Sequence, residues 1–480
     1  MSFQYIILNQ DLSIKSDHSK SLSDAARPNC AVIGIWGLSE AANLSYLGLY
    51  AMQHRGQEAA GIVSSDGQTL YRHADSGLVA DVFRDRCVFD NLPGNAALGH
   101  NRYSTTGSSS TPNVQPLLVE DRAGPIALAH NGNLVNYSDL RRFLVEEGSL
   151  FRTSTDSELF LHLFARSRAK SLINRLIEAL HIVKGAYSLI ILTRDSLIAV
   201  RDPLAFRPLS LGAKDDGWVV ASETCAFDLL GAKYVRDVQP GEMVVFNDNR
   251  LESHQFAESK RTAHCIFEYI YFSRPDSRIF GVMVDKTRRR LGHILAERHP
   301  NPPDADFVIA VPDSSNTAGL GYAHQSGLPF EIALIRNHYI GRTFIEPEQR
   351  MRDFGAKVKF NPVAGVLRGR RVVLVDDSIV RGTTLRKLVR LIRGAGAEKV
   401  YVRISSPPIK NPCFYGMDFP TREELAADQH SIDEIRAYIE ADDLEYLTPE
   451  ELLEAVPHSS GQDYCTACFT GIYPVAVNNE

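Results

Sequence analysis

RVVLVDDSIVRGTT, residues 371–384, is the stretch that decides the fold of the second half of the chain. Val372, Val373, Leu374 and Val375 form an apolar run of strand length, bounded by polar residues on both sides. Asp376 and Asp377 stand side by side at its carboxyl end, and a loop carrying Ser378, Arg381, Gly382, Thr383 and Thr384 follows. Next, LRKLVRLIRGAG sets Leu385, Leu388, Val389 and Ile392 at helical spacing, with Gly394 and Gly396 to end the helix. A strand, a Ser/Gly/Thr loop and a helix in that order point backbone N–H groups at one spot, which is how an anion such as phosphate is held. An Asp-Asp pair alone is more often a solvated turn. Between a buried strand and a phosphate loop it reads as functional. The same layout recurs upstream in VIAVPDSS, residues 308–315, an apolar strand that ends in a polar loop with Ser314.

Outward from there, size and composition set limits. The 480 residues are too many for one core and imply two or three domains. With 52 Lys plus Arg against 58 Asp plus Glu, the formal charge is −6, so no basic excess marks a nucleic-acid partner. Apolar runs are of strand length only, which excludes a membrane-spanning helix as well. Residues 1–29 are polar beyond their start, without the apolar core of a signal peptide. Asp11, Asp17 and Asp24 argue against an Arg-rich transit peptide, leaving a disordered leader or a propeptide removed ahead of Cys30. The seven cysteines are odd in number and sparse, which argues against a disulfide framework and for a cytoplasmic chain.

From Cys30 to residue 256 short β-rich runs alternate with Gly-rich turns, and two segments, DSELFLHLFARS and SLINRLIEALHIV, have helical spacing. CAVIGIWG reads as a strand starting at the cysteine, and GAYSLIILTRDSLIAVRDP as a hairpin turning at Arg194 and Asp195. The mixture predicts antiparallel sheets covered by helices, an α+β layered domain. Four polar clusters are expected at turns between these runs: residues 54–57 (HRGQ), 101–107 (NRYSTTG), 130–133 (HNGN) and 153–156 (TSTD).

In wording and order, these clusters together with Cys30 resemble the class II, N-terminal-nucleophile (Ntn) glutamine amidotransferase domain, over Cys30 to about residue 242. The chemistry such a domain performs is thiol attack on the glutamine side-chain amide, release of ammonia and hydrolysis of a thioester. The reactive species is the thiolate, so a base is needed nearby, and a cysteine that begins a chain carries its own in the α-amine, whose ordinary pKa is about 8. The resemblance therefore implies cleavage between Asn29 and Cys30. It also implies an oxyanion hole from the Asn131 side chain and the Gly132 N–H, Arg102 on the glutamine α-carboxylate and Asp156 on its α-ammonium. Ala31 departs from the family pattern, which usually has Gly after the cysteine.

Residues 371–384 resemble the PRPP-binding signature of type I phosphoribosyltransferases, an α/β fold. By that resemblance Asp376 and Asp377 meet the ribose hydroxyls and Mg²⁺, residues 378–384 cradle the 5′-phosphate, and Ser314 lies near the metal in the pyrophosphate loop. Residues 341–352 (GRTFIEPEQRMR) correspond to a lid that closes over PRPP. On spacing alone Cys265, Cys413, Cys465 and Cys468 suit a Cys₄ zinc site or unrelated core thiols. Their contexts, CIFEYIYFSRPDS, PPIKNPCFYGMD and YCTACFTGIYP, resemble the ligand segments of an iron–sulfur subclass and imply a [4Fe–4S] cluster.

A glutaminase domain ahead of a PRPP domain is similar to the amidophosphoribosyltransferases, Fe–S subclass, over Cys30 to about residue 474. The expected organisation is a propeptide at 1–29, a glutaminase domain at 30–256, a phosphoribosyltransferase domain at 257–450, and a C-terminal tail at 451–480 bearing cluster ligands. The implied substrates are glutamine and PRPP, with purine nucleotides as feedback inhibitors, a homotetrameric assembly, and no nucleic-acid or membrane partner. A hexosamine-forming synthase would need a sugar-isomerase domain where the Asp pair sits. A non-catalytic PRPP sensor would be expected to lose Cys30 or the acids and to carry a basic DNA-binding module. Neither pattern is present.

Overall fold

The computed structural model describes residues 30–103, 111–247, 250–337, 360–417, 419, 421–457 and 463–477. Residues 1–29, residues 104–107 of the cluster after Arg102, and the expected lid at 341–352 lie outside the described residues.

Two antiparallel sheets build the first half. One has seven strands, with Ala31–Trp36 at its centre between Gly217–Ala221 and Ala96–Arg102. The other has six, with Gly124–Leu134 paired to Gly185–Leu192. Their inner faces form a shared core that includes Val32, Leu98, Ala129, Ile190 and Val220, all fully buried. Helices Ala41–Ala51 and Cys225–Leu230 cover the outer face of the first sheet, and Asp156–Arg166 and Leu172–Leu180 that of the second. The result is a helix–sheet–sheet–helix stack. Covering both faces explains why Gly185–Leu192 is buried at every position instead of alternating, as an antiparallel strand with one wet face would.

Two of the four polar clusters are not turns. Asn101 and Arg102 end the strand Ala96–Arg102, and residues 130–133 lie inside Gly124–Leu134. Cross-strand partners at Leu189, Ser188, Tyr187 and Ala186 continue the ladder past these polar residues, while on the other edge the His130 and Leu134 N–H groups donate to the Gln115 and Asp156 side chains.

The second half is a parallel sheet in the order Phe307–Ala310, Arg371–Asp376, Lys399–Ile404, Asp443–Tyr446. Alternation along the second of these strands sends Val373 and Val375 toward helices Val284–Arg298 and Asn316–Ser326. Val372 and Leu374 go toward Thr383–Gly394 and Ile432–Ile439. All four are fully buried, and each contributes roughly 1.5–3 kcal/mol relative to exposure. Such a strand, wet on neither face, is the physical origin of the uninterrupted apolar run.

The chain end folds back onto both halves. Tyr464–Cys465 pairs in parallel with His264–Cys265, Tyr473 OH donates to the Pro412 carbonyl at 2.8 Å, and Tyr415 OH to the Val475 carbonyl at 2.7 Å. The helix Pro449–Ala455 begins just before the expected boundary at 451 and packs on Val284–Arg298, where Arg290 Nε donates to the Glu454 carbonyl at 3.1 Å. Among the described residues, no helix is long and apolar enough to cross a membrane.

Candidate active sites

Cys30 immediately precedes the central strand of the first sheet, nearly buried at 9% exposure. Its thiol lies 3.4 Å from the Tyr103 carbonyl, and its own carbonyl accepts from Arg55 Nε at 3.3 Å. Burial pushes the thiol up to about 11, while the Arg102 guanidinium pulls the other way. At that value only about one thiol in 10⁴ is ionised at pH 7, so the group needs a base to react. Arg102 is itself buried and feels the charges of Cys30, Glu58 and Asp156, which places the expected carboxylate and ammonium binders around the thiol.

Asp156 opens its helix and is 5% exposed. Its Oδ2 accepts from the Leu134 N–H at 3.0 Å, and its Oδ1 faces His130 Nδ1 at 3.3 Å. Burial works against the carboxylate, yet His130 and the Leu134 N–H outweigh it and hold the group below its ordinary range. It is therefore an anion at neutral pH, suited to an ammonium. Asn131 is fully buried, and neither its Oδ1 nor its Nδ2 has a hydrogen-bond partner among the described residues. An orphaned buried amide costs about 1–3 kcal/mol, and a bound oxyanion would relieve the Nδ2 part of it by accepting from that group. Gly132 sits at φ +153°, and a Cβ there would meet the Ala186 carbonyl oxygen at 2.0 Å, so no larger residue fits beside Asn131.

The second site forms where two parallel strands end. Asp376 and Asp377 are both buried, and Ser315 Oγ donates toward Asp376 Oδ1 at 3.0 Å. The Asp377 N–H donates to Asp376 Oδ1 at 2.9 Å, and Ser378 Oγ to Asp377 Oδ1 at 2.6 Å. Burial raises the Asp377 carboxyl, with Ser314, Ser378 and Arg288 acting against the rise. Gly382 at φ +79° turns the loop into the helix Thr383–Gly394, whose first turn has no side-chain cap. Its leading N–H groups thus face the loop, and Thr383 and Thr384 stand half-buried beside them. Arg381 is ion-paired with Glu424. The acids, serines and loop hydroxyls offer the hard oxygen donors that Mg²⁺ takes.

Cys265, Cys413, Cys465 and Cys468 line one cavity, walled by Phe206, Tyr415 and Tyr473. Cys265 and Cys465 are register partners across the short parallel pair, and the Cys468 carbonyl accepts from the Lys410 and Asn411 N–H groups at 3.0 Å. Burial raises the Cys265, Cys465 and Cys468 thiols, and each is raised further by other thiols of the set. Among the described residues no group of three His, Cys, Asp or Glu converges at metal-ligating geometry. Cys225 is buried in the first-half core, and Cys87 is exposed.

Motif reading does not single out Ser315, which hydrogen-bonds both acids while Ser314 Oγ lies 3.4 Å from its own oxygen. Nor does it make His130 the neighbour of Asp156, although the histidine opens the 130–133 cluster. Nor does it pair Glu223 and Glu268 with Arg55, which is 168 and 213 positions away. No local pattern announces a pairing over such separations.

Family models match the chain twice: a glutamine amidotransferase domain at residues 100–228 and a phosphoribosyl transferase domain at residues 287–405. An amidophosphoribosyltransferase of Bacillus subtilis is 48% identical, the match covering 94% of this chain and 95% of that protein. One from Archaeoglobus fulgidus is 49% identical over 94% of this chain and 99% of the relative. A solved B. subtilis glutamine PRPP amidotransferase, complexed with ADP and GMP, superposes with a TM-score of 0.89 at 48% identity, covering 94% of this chain and 98% of that one. A second solved structure, the allosteric regulatory enzyme of purine biosynthesis, gives a TM-score of 0.90 over 94% of this chain and 97% of that one. The chain belongs to the amidophosphoribosyltransferases, which carry out the first step of purine biosynthesis by moving glutamine-derived ammonia onto PRPP to form 5-phosphoribosylamine, glutamate and pyrophosphate.

Proposed function

We propose that Cys30 is the glutaminase nucleophile and that Asp376 and Asp377 organise the PRPP site; the observation that carries the reading is that Cys30, Arg102 and Asp156 are all buried and lie within electrostatic reach of one another. Arg102 and Asp156 hold the two ends of the glutamine amino-acid group, fixing its amide toward the thiol. Asn131 and the Gly132 N–H take the charge that grows on the amide oxygen. A free α-amine on Cys30 accepts the thiol proton and later passes one to the departing ammonia. Residues 1–29 therefore act as a propeptide. Intact-mass measurement of glutamine-active enzyme is expected to give a chain beginning at Cys30, and full glutamine activity in protein that still starts at Met1 would overturn this.

At the second site, residues 378–384 hold the 5′-phosphate on loop and helix N–H groups, while Ser314 lies in the pyrophosphate loop. Mg²⁺, held through Asp376, Asp377 and Ser314 together with substrate oxygens, would draw charge from the departing pyrophosphate. The acids also receive the ribose hydroxyls and orient C1 toward incoming ammonia. Ammonia passes internally between the two sites, since released into water at pH 7 it would become ammonium and lose its nucleophilic lone pair.

The four thiols fit a [4Fe–4S] cluster: a soft all-sulfur donor set in an apolar cavity, with no carboxylate or imidazole among the described residues that line it. The group would serve structure, tying the tail to both halves. Four thiols in one cavity, three of them raised by burial, make ligand binding and folding a single problem. Cys468→Ser is expected to lower the melting midpoint by roughly 10 °C and to give poorly soluble protein, because a lost ligand costs several kcal/mol. Anaerobically prepared enzyme should carry about four irons and four sulfides per chain. Stoichiometric zinc without sulfide would defeat the iron assignment, and a soluble, fully active Cys468→Ser variant the structural one. The enzyme is read as a cytoplasmic homotetramer under purine-nucleotide inhibition, a reading that size-exclusion with light scattering and inhibition by ADP and GMP would test.

A further inference from the structure

Between the two active sites lies a cluster of four ionised side chains with no exposure to solvent: Arg55, Arg207, Glu223 and Glu268. Arg55, Arg207 and Glu223 belong to the glutaminase half. Glu268 belongs to the other, on the single helical turn Glu268–Phe272. Arg55 Nη2 and Nη1 donate to the two Glu268 oxygens at 2.8 and 2.9 Å, a bidentate fork, and Nη1 also reaches Glu223 at 2.5 Å. That leaves Nε, which donates to the Cys30 carbonyl at 3.3 Å. Glu268 is held in turn by Ser273 Oγ at 2.7 Å and Arg207 Nη1 at 3.3 Å. Glu223 accepts from Ser277 Oγ at 2.7 Å and from the Arg274 N–H at 3.0 Å.

We infer that Glu268 is a positioning residue for the glutaminase nucleophile, acting across the interface between the halves by locking the Arg55 guanidinium so that its Nε grips the Cys30 carbonyl. The inference rests on Cys30 being the nucleophile. A residue that begins a chain has one peptide link instead of two, so what holds its carbonyl weighs more in aiming its Cα–Cβ bond. Arg55 is that hold. A fork with both Nη atoms on Glu268 and Glu223 leaves the guanidinium one orientation, because its five donors lie in one plane. The two arginines and two carboxylates sum to zero charge, as a dry site requires. Burial raises Glu268, but Arg55 and Arg207 outweigh it and keep the group ionised. Loss of this lock lets the thiol wander by a fraction of an ångström to an ångström, a displacement that costs about 10- to 100-fold in a reaction set by orientation.

Glu268→Gln keeps the shape and removes the charge. In the full-length matured enzyme, kcat for glutamine-dependent synthesis is expected to fall about 10- to 100-fold with the glutamine KM changed less than about threefold. Alkylation of Cys30 by a diazoketone analogue of glutamine should slow in parallel, while ammonia-dependent synthesis stays within about twofold. Glu268→Asp, which restores the charge, should recover part of the lost kcat. Arg55→Lys, which keeps a cation but has no Nε, should resemble Glu268→Gln. Equal losses of the glutamine and ammonia activities would mean a purely structural role and overturn the proposal, as would a folded Glu268→Gln enzyme with unchanged glutamine kcat. If Glu268→Gln does not fold, parental glutamine kcat in both Glu268→Asp and Arg55→Lys overturns it. A Cys30→Ala enzyme that still used glutamine would instead strike the reading of the nucleophile, whatever Glu268 does.

Discussion

Cys30→Ala is expected to abolish glutamine-dependent phosphoribosylamine formation, by about 10⁴-fold or more, and to leave ammonia-dependent synthesis within a factor of about two. The loss is large because the proposed nucleophile would form a covalent intermediate, and its described neighbours cannot replace it. Tyr103 offers a carbonyl, and Asp156 a carboxylate that already accepts from the Leu134 N–H beside His130. Ammonia supplied from solution bypasses this half of the enzyme, so its rate reads the second site alone. With a thiol pushed up to about 11 by burial, glutaminase activity should track deprotonation of the base near pH 8 and not that of the thiol. Rates with glutamine and with ammonium chloride across pH 6 to 9, on parent and variant, check both parts. Substantial glutamine turnover by Cys30→Ala would sink the assignment.

Changing Asp376 and Asp377 together to Asn should cut synthesis from either nitrogen source by about 10²- to 10³-fold, since both routes converge on PRPP. The variant should fold at least as well as the parent. Burial raises the Asp377 carboxyl in the metal-free protein, so the folded state binds a proton more tightly than the unfolded chain does. Stability then declines as pH rises through that window, and a neutral amide removes the decline. Melting of the metal-free proteins at pH 7 is therefore expected to show an equal or higher midpoint for the variant. Ammonia-dependent synthesis at the parental rate would show that the acids do not serve this site. A large drop in midpoint would show that the activity loss comes from misfolding.

Much of this architecture is legible in the sequence because its signals are local. Residues 371–384 carry strand, acid pair, loop and helix start within one short run, and the fold returns the strand as Arg371–Asp376 and the helix as Thr383–Gly394. The hairpin turning at Arg194 and Asp195 appears between Gly185–Leu192 and Leu197–Arg201. Helical spacing finds Asp156–Arg166 and Leu172–Leu180. Polarity misleads at residues 130–133, where hydrophilic side chains sit in a strand because that strand runs through the interior, with His130 and Asn131 buried.

Motif wording and spacing are enough to establish the two chemistries, their order along the chain, and the residue types that would carry them, because each motif is a short run that reports a turn, a strand end or a helix start. How the motifs meet is a matter of packing. Folding puts Arg102 and Asp156 around Cys30, gathers four cysteines from three distant segments into one cavity, and sets Ser315 between the acids. It also closes Arg55 onto Glu223 and Glu268, two carboxylates far along the chain. Periodicity says which side of a strand is buried but not which distant charge lies against it. Only packing brings such groups within hydrogen-bond reach, and in a dry interface each buried charge must then find its partner.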